Sequence, residues 1–411
     1  MQKNKLKQSV AIIGGGPSAL MLAAQLDEVK FDITIYEKNA ALGRKFLVAG
    51  DGGFNLTHSE VEEQFVSRYT PASFFEPVIS SFTNSDFRNW LSCIGIETYT
   101  GSSKRVFPVK GIKPIDVLNA ILKVLKNMNV VIKTKHVWKG WNDKGLVFQH
   151  LYPESTADHT LTEMPDIVVF ALGGGSWKVT GSDGSWLNHL EAKGIEVVPF
   201  EASNCACEVK WNKEFIELAE GKSLKNIVLK CDGEEKKGEV VLTKFGLEGG
   251  ALYALSPYLR KQLKENRTAE LFLDLKPSLS AKEILNKLSN KGNKSLSKHV
   301  ADELNINPVQ LALLKSVLNK EDFTRLETLS EKIKNLPLII SSLAPIDEAI
   351  STVGGVSLNA IDNSFQLKKM PNHYVIGEML DWDAPTGGYL LQGCFSMGYY
   401  LAKFLNNKNI F

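Results

Sequence analysis

"SVAIIGGGPSALMLAAQL", residues 9–26, decides how the rest of this chain is read. Its apolar run, Val10 to Ile13, has the length of a short buried strand. Three glycines break that run, and Pro17 then opens a segment whose apolar residues recur at helical spacing. Next comes "FDITIYEKN" (31–39), which alternates and is rich in β-branched residues, so residues 1–38 predict one parallel βαβ unit.

Within that unit Gly14-x-Gly16-x-x-Ala19 carries chemistry. Gly14 permits a tight turn, Gly16 lets the backbone approach a pyrophosphate, and the small Ala19 allows the helix to pack closely on the strand. The unpaired N–H groups at the helix start favour phosphate. Glu37 ends the second strand 23 positions after Gly14, where a carboxylate accepts the hydroxyls of an adenosine ribose and repels a 2′-phosphate. The expected ligand is FAD or NAD, not NADP. Downstream, "ALGRKFLVAGDGGFNLTH" (41–58) adds Gly43-Arg44 and Lys45 on the pyrophosphate side. The same stretch adds glycines 50, 52 and 53 with Asn55 and Thr57, a density of close-approach and hydrogen-bonding residues unlike that of a plain surface loop.

The strand–helix alternation continues. "PIDVLNAILKVLKNMN" (114–129) predicts an amphipathic helix, "VVIKTKHVW" (130–138) a strand, and "DIVVFALGGG" (166–175) a buried strand ending in glycines. After residue 197 the texture changes to short alternating runs, "CACEVKW", "KNIVLKC", "GEVVLTKFG" and "AELFLDL", then to lysine-rich helical segments, before "PNHYVIGEML" (371–380) restores a buried strand and "GGYLLQGCFSMGYYLAKFL" (387–405) a last helix. The fold class read from this order is α/β, a Rossmann-like domain with a parallel sheet. It is interrupted by an antiparallel β domain and a small helical subdomain. The expected divisions are 1–197 and 341–411 for the nucleotide-binding domain, 198–279 for the β domain as a substrate cap, and 280–340 for the helices. At 411 residues more than one core is expected.

Composition excludes more than it names. Lys plus Arg (48) nearly cancels Asp plus Glu (46), so the footprint of a dedicated nucleic-acid binder is missing. No apolar stretch reaches the ~18–20 residues of a membrane helix, and the short run after the basic start is no signal-peptide core. A cytoplasmic protein is expected. Its cysteines, at 93, 205, 207, 231 and 394, are odd in number and expected as thiols. Cys205 and Cys207 have no nearby histidine or second cysteine pair to complete a zinc site and read as same-face strand residues. No metal site is expected.

Together Gly14-Gly16-Ala19, Glu37, Gly43-Arg44, "ALGGG" (171–175) and "GEMLDWDAPTGGYLLQG" (377–393) resemble the glutathione-reductase-type FAD fold. More narrowly the chain resembles the bacterial NAD(P)/FAD-dependent oxidoreductase flavoproteins, a family that includes aminoacetone oxidases and bile-acid ene reductases. "KRVFPV" (104–109), "GSDG" (181–184), "LTKFGLEGGALYALS" (242–256) and "TVGGV" (352–356) also match, so the likeness spans nearly the whole chain. The resemblance implies that Gly14, Gly16, Pro17, Ser18 and Ala19 cradle the FAD pyrophosphate and that Glu37, with Lys38 beside it, holds the ribose. Gly43, Arg44 and Lys45 would continue along the phosphates, with Asn55 and Thr57 at the flavin end. It further places Val137 near adenine, Ala171, Leu172 and Gly173 at a second backbone contact, and Gly377 and Glu378 at the ribitol. Gly388, Tyr389, Leu390 and Leu391 would face the isoalloxazine. Where relatives carry an arginine–cysteine pair in the glycine loop, this chain has Gly53-Phe54.

A second dinucleotide site is not expected, because "GGGSWKVTGSDG" (173–184) puts Trp177 and Lys178 where a small residue and a helix should follow. NAD(P)H would then bind only transiently as the reductant, or the substrate itself would be the reductant. The expected function is hydride transfer between flavin N5 and a small organic molecule, an amine or an activated C=C compound. The alternatives are a flavin-dependent RNA-modifying enzyme using the lysine-rich helices and a non-enzymatic flavin-bound redox sensor. Tyr389, Cys394 and His373 are the candidate side chains near the flavin, without an assigned catalytic role.

Overall fold

The computed structural model describes residues 7–48, 53–151, 160–290 and 292–408. The chain divides into two compact units, Met1–Glu201 with Ser351–Phe411, and Ala202–Ile350. Glycines 50 and 52 lie outside the described residues.

In the first unit β1 (Gln8–Ile13), α1 (Pro17–Gln25) and β2 (Phe31–Tyr36) form the expected βαβ unit. Later come α2 (Pro114–Asn127), β3 (Val131–Lys133), β4 (Ile167–Phe170), β5 (His373–Val375) and α3 (Tyr389–Asn407). The five strands make one parallel sheet in the order β5-β4-β1-β2-β3. Val10 sits between Ile33 and Ile167 in register. Every residue of β4 is buried, the pattern of a strand covered on both faces. It explains why β1 and β4 read as apolar runs, whereas β2, with Asp32 exposed, alternates.

The helices α1 and α3 touch closely: a Cβ at Gly398 of α3 would lie 2.4 Å from Ser18 O and 2.9 Å from Leu22 N of α1. Residues almost four hundred positions apart are thereby packed backbone to backbone.

The segment 130–138, expected as one strand, is two. β3 closes the parallel sheet, Lys135 turns the chain at φ +57°, and His136–Asn142 enters a separate antiparallel sheet with Gly145–His150 and Thr160–Glu163. A small antiparallel sheet pairs Thr57–His58 and Thr98–Thr100 with Arg105–Pro108.

The second unit contains a closed six-stranded barrel: Cys207–Val209, Gly246–Glu248, Glu234–Leu242, Ser223–Cys231, Ala269–Asp274 and Leu336–Leu343, each antiparallel to its neighbours. Closure leaves no unpaired sheet edge. Of the five helices described between the last two strands, four start at side-chain caps, Ser280, Ser295, Asn307 and Asn319; Ser280 with Glu283 and Asn307 with Gln310 form capping boxes. Ile284, Leu288, Val300, Leu313 and Leu329 of these helices share one core with Leu271 and Leu273 of the barrel. The helices and the barrel therefore share one core and one unit, and the strand Leu336–Leu343 begins within the stretch, 280–340, that reads as helical. Among the described residues no helix is long and apolar enough to cross a membrane.

The α1–α3 contact makes a test whose sign is informative. Helix propensity favours Gly398→Ala by about 1 kcal/mol, whereas the crowding against Ser18 O opposes it by about 1–3 kcal/mol. Denaturant titration is expected to show a net loss of stability.

Candidate functional site

The site is built on the turn after β1. Gly14 has φ +104°, and a Cβ there would lie 2.3 Å from Ala171 O at the end of β4, so only glycine fits. The turn is held on three sides. Gly14 N–H donates to Tyr36 O at 2.8 Å, Gly43 N–H donates to Gly15 O at 2.9 Å, and Gly15 N–H donates to Glu37 Oε2 at 2.9 Å. The helix α1 begins at Pro17 without a side-chain cap. Its first intrahelical donor is Leu20 N–H, to Gly16 O at 3.0 Å, so the N–H groups before it lack an intrahelical partner. A Cβ at Gly16 would meet nothing within 4 Å: the space in front of these donors is open.

That space belongs to a cavity of about 390 Å³. Gly14, Gly16, Pro17 and Ser18 line it, as do Glu37, Lys38, Gly43, Arg44 and Lys45, then Val137, then Ala171, Leu172 and Gly173, and finally Gly377 and Glu378. Ala19 is fully buried behind it and packs the helix on the sheet. The two ends of the chain meet here, since a Cβ at Gly377 would lie 2.6 Å from Ser18 Oγ.

Glu37 is less free than its expected role implies. Oε1 accepts from Asn39 N at 2.8 Å and from Asn39 Nδ2 at 2.7 Å, while Oε2 holds the glycine turn. A carboxylate offers about four acceptor positions, which leaves about one for a ribose hydroxyl. The lysines are also engaged. Lys38 pairs with Asp183 at 2.8 Å, and Lys45 with Glu378 at 3.1 Å and Ser176 Oγ at 2.9 Å. Among the described residues Arg44 reaches only Asn39 Oδ1, at 2.9 Å, and is not in an ion pair. The cavity thus sets Arg44, Lys38, Lys45 and Lys139 against Glu37, Asp183 and Glu378, an excess of positive charge suited to an anionic ligand. The chemistry of this donor set fits FAD: open N–H groups and an uncommitted guanidinium for phosphates, a carboxylate for ribose, and a wall of Val137, Trp138 and Trp186 for a base.

Asn39, Asp183, Trp138 and Trp186 are lining residues that the sequence reading missed. "GSDG" (181–184) was noticeable as a motif, but its partner Lys38 lies 145 positions away. Gly173 and the 180–186 segment line this same cavity.

Asn55, Thr57, Gly388, Tyr389, Leu390 and Leu391 do not line it. Thr57 meets Gly388 at the start of α3, where Tyr389, Leu390 and Leu391 follow. Gly388 has φ +104°, and a Cβ there would lie 2.5 Å from Thr57 Cα. The Thr57 hydroxyl is fully buried with no hydrogen-bond partner among the described residues, a cost that a bound polar group would relieve. Leu390 and Leu391 are half-buried.

Tyr389 turns the other way. Its hydroxyl donates to Glu60 Oε2 at 2.8 Å, its ring stacks on His58 at 5.1 Å, and Tyr69 donates to its carbonyl at 2.7 Å. Burial and then the Glu60 carboxylate raise the Tyr389 pKa far above its ordinary value. Arg68 forks onto Glu60 at 3.0 and 2.6 Å. Burial works to raise the Glu60 pKa, but the bonds from Arg68 and Tyr389 prevail and hold it below the usual range. Cys394 lines the cavity as a thiol, pushed up to about 12 by burial first and the Glu378 charge second. His373 packs near Phe170 and Trp141, outside the cavity lining.

Two outcomes follow from this geometry. Glu37→Ala removes both the ribose acceptor and the clasp on Gly15, so FAD affinity measured by fluorescence titration is expected to fall about tenfold or more. Because the folded Glu60 pKa lies below its reference of 4.5, its stabilising contribution is present above that reference and lost as pH falls through the folded value. The stability gap between wild type and Glu60→Gln is therefore expected to be largest near about pH 6 and to shrink toward about pH 3 in urea titrations.

The chain is 24% identical to a Haemophilus influenzae protein named ribosomal RNA dihydrouridine synthase, across 97% of this chain and 98% of that one. It is 23% identical to the 3-dehydro-bile acid delta(4,6)-reductase of Clostridium scindens, across 96% and 98%. In fold it is similar to the 3-ketosteroid-delta4-(5alpha)-dehydrogenase of Rhodococcus jostii RHA1, with a TM-score of 0.51 and 11% identity over 98% of this chain and 97% of that one. The model of the HI0933-like protein Rossmann domain matches residues 8–404, and the chain belongs to that family, one of FAD-dependent oxidoreductases.

Proposed function

We propose that this protein is an FAD-dependent reductase that saturates a carbon–carbon double bond conjugated to a carbonyl in a small organic molecule. The observation that carries the flavin assignment is the meeting of Gly377 and Glu378 with the α1 N-terminus around one positively biased cavity. The direction of the chemistry is supported by the relatives. Dihydrouridine is uridine saturated at one ring double bond, and a delta(4,6)-reductase is likewise named for the double bonds it acts on.

In this reading the residues divide the work. The α1 N–H groups with Arg44 hold the pyrophosphate, Glu37 the ribose, and Glu378, kept in place by Lys45, the ribitol. Thr57 and the start of α3 border the flavin, and Asn55, Gly388, Leu390 and Leu391 shape that end. Bound FAD supplies a two-electron carrier whose N5 takes and gives hydride. NAD(P)H is the electron source, so the substrate gains one hydride and one proton while NAD(P)⁺ is released. Tyr389 is not the proton donor: its hydroxyl is committed to Glu60.

A second reading is a substrate carried in RNA, favoured by the name of the Haemophilus relative and by residues 276–298, which hold six lysines and one glutamate. Phosphate contacts there would give binding that weakens steeply with salt.

The test is anaerobic. NADH or NADPH is expected to bleach the flavin of the purified protein, and a conjugated enone to restore it, with an amine causing no bleaching. Bleaching by an amine followed by rapid reoxidation in air would replace the reductase with an oxidase. A protein that takes up no FAD would remove the assignment altogether.

A further inference from the structure

Arg105 stands beside the start of α3 and, among the described residues, has no acid of its own. It lies on the strand Arg105–Pro108, directly opposite His58 on the paired strand. Its Nε is 3.3 Å, and its guanidinium carbon 3.9 Å, from where a Cβ would sit on Gly387. Gly387 has φ +110° and Gly388 φ +104°, so two glycines in succession bring bare backbone up to the guanidinium. The helix behind them has no side-chain cap, and its first donor satisfied within the helix is Gln392 N–H, on Gly388 O at 3.0 Å.

What is missing is an acceptor. Among the described residues none lies within hydrogen-bonding distance of the Arg105 guanidinium, although the side chain is half-buried. The neighbouring acid is already used: Glu60 takes two bonds from Arg68 and one from Tyr389. His58, the cross-strand neighbour, supplies no negative charge. A partly buried arginine can lay its stem against the protein while its five N–H donors face outward to a ligand. Here the fold has placed one at the helix terminus that borders the flavin end and, among the described residues, has left its guanidinium without a partner.

We propose that Arg105 is the group that holds the substrate's conjugated carbonyl or carboxylate oxygen. The assignment rests on the reductase reading and deepens it by naming the substrate class: an oxygen-bearing acceptor conjugated to the bond that is reduced. A carboxylate would take the guanidinium in a two-pronged pair, a ketone through one oxygen. In either case an oxygen that gains negative character as hydride adds to the far carbon is stabilised by the fixed cation.

The experiment uses the FAD-loaded protein with Arg105→Ala and Arg105→Lys. Crotonate and 2-cyclohexen-1-one are titrated calorimetrically, and FAD retention and thermal stability are recorded for each variant. The expected result is that at least one probe binds the wild type and loses about tenfold or more in affinity in Arg105→Ala, the scale of one charge-assisted hydrogen bond. FAD retention is expected to stay unchanged, and Arg105→Lys to recover part of the loss. Crotonate alone responding assigns a carboxylate substrate, and the enone alone a ketone. Equal affinities in wild type and Arg105→Ala overturn the proposal, as does a wild type that binds neither probe. So does loss of stability or FAD in step with probe affinity in both variants, which would make Arg105 a structural prop. Arg105-dependent binding without any turnover of enone or crotonate would instead uphold the oxygen-holding role and sink the reductase reading.

Discussion

The turn at Gly14 is the constraint on which the first unit depends. Its positive φ and the 2.3 Å that would separate a Cβ from Ala171 O bring the ends of β1 and β4 together as no side chain would allow. Because β1 and β4 are parallel neighbours, that contact fixes where α1 begins relative to the glycines at 171–175. The donors of the helix start, the carboxylate of Glu37 and the ends of the chain are then set around one cavity.

Charge secures what the glycine permits. Lys38–Asp183 and Lys45–Glu378 join segments 145 and 333 positions apart, and each pair is only partly exposed. Pairs of this kind contribute little net stability but define geometry. Their more specific effect is subtraction. With two lysines paired, Arg44 and Lys139 are the cavity's cations that form no ion pair among the described residues. At the other end of the site the same logic holds, where Glu60 is occupied by Arg68 and Tyr389 and Arg105 is left over. In both places the charge proposed to meet a ligand is what the protein's own ion pairs, among the described residues, do not neutralise.

Much of the site was legible because it is written locally. The glycine turn, the small Ala19 and the acid after β2 sit within thirty residues and answer to one geometry, so spacing alone identifies them. Tyr389 shows where that legibility stops. Its position beside Gly388 placed it at the flavin, yet its side chain goes to Glu60, since which way a ring turns at a helix start depends on partners far away in sequence. Asp183 and Trp138 were missed for the same reason. The strand Leu336–Leu343 was obscured by the helical run before it, and its partners at 207–209 and 269–273 lie far upstream.

The sequence by itself determined the parallel βαβ core, the alternation that makes antiparallel strands after residue 197, and the pairing of a glycine turn with an acid that marks a dinucleotide site. These follow from periodicity and from backbone sterics, which act over a few residues. Only the tertiary structure decided that the β strands close into a barrel sharing one core with the helices, that Lys38 and Lys45 sit in ion pairs, and that among the described residues Arg44 and Arg105 do not. Hydrogen bonds and ion pairs are short-ranged in space and indifferent to distance along the chain, so which charges remain for a ligand is known only once the chain has folded.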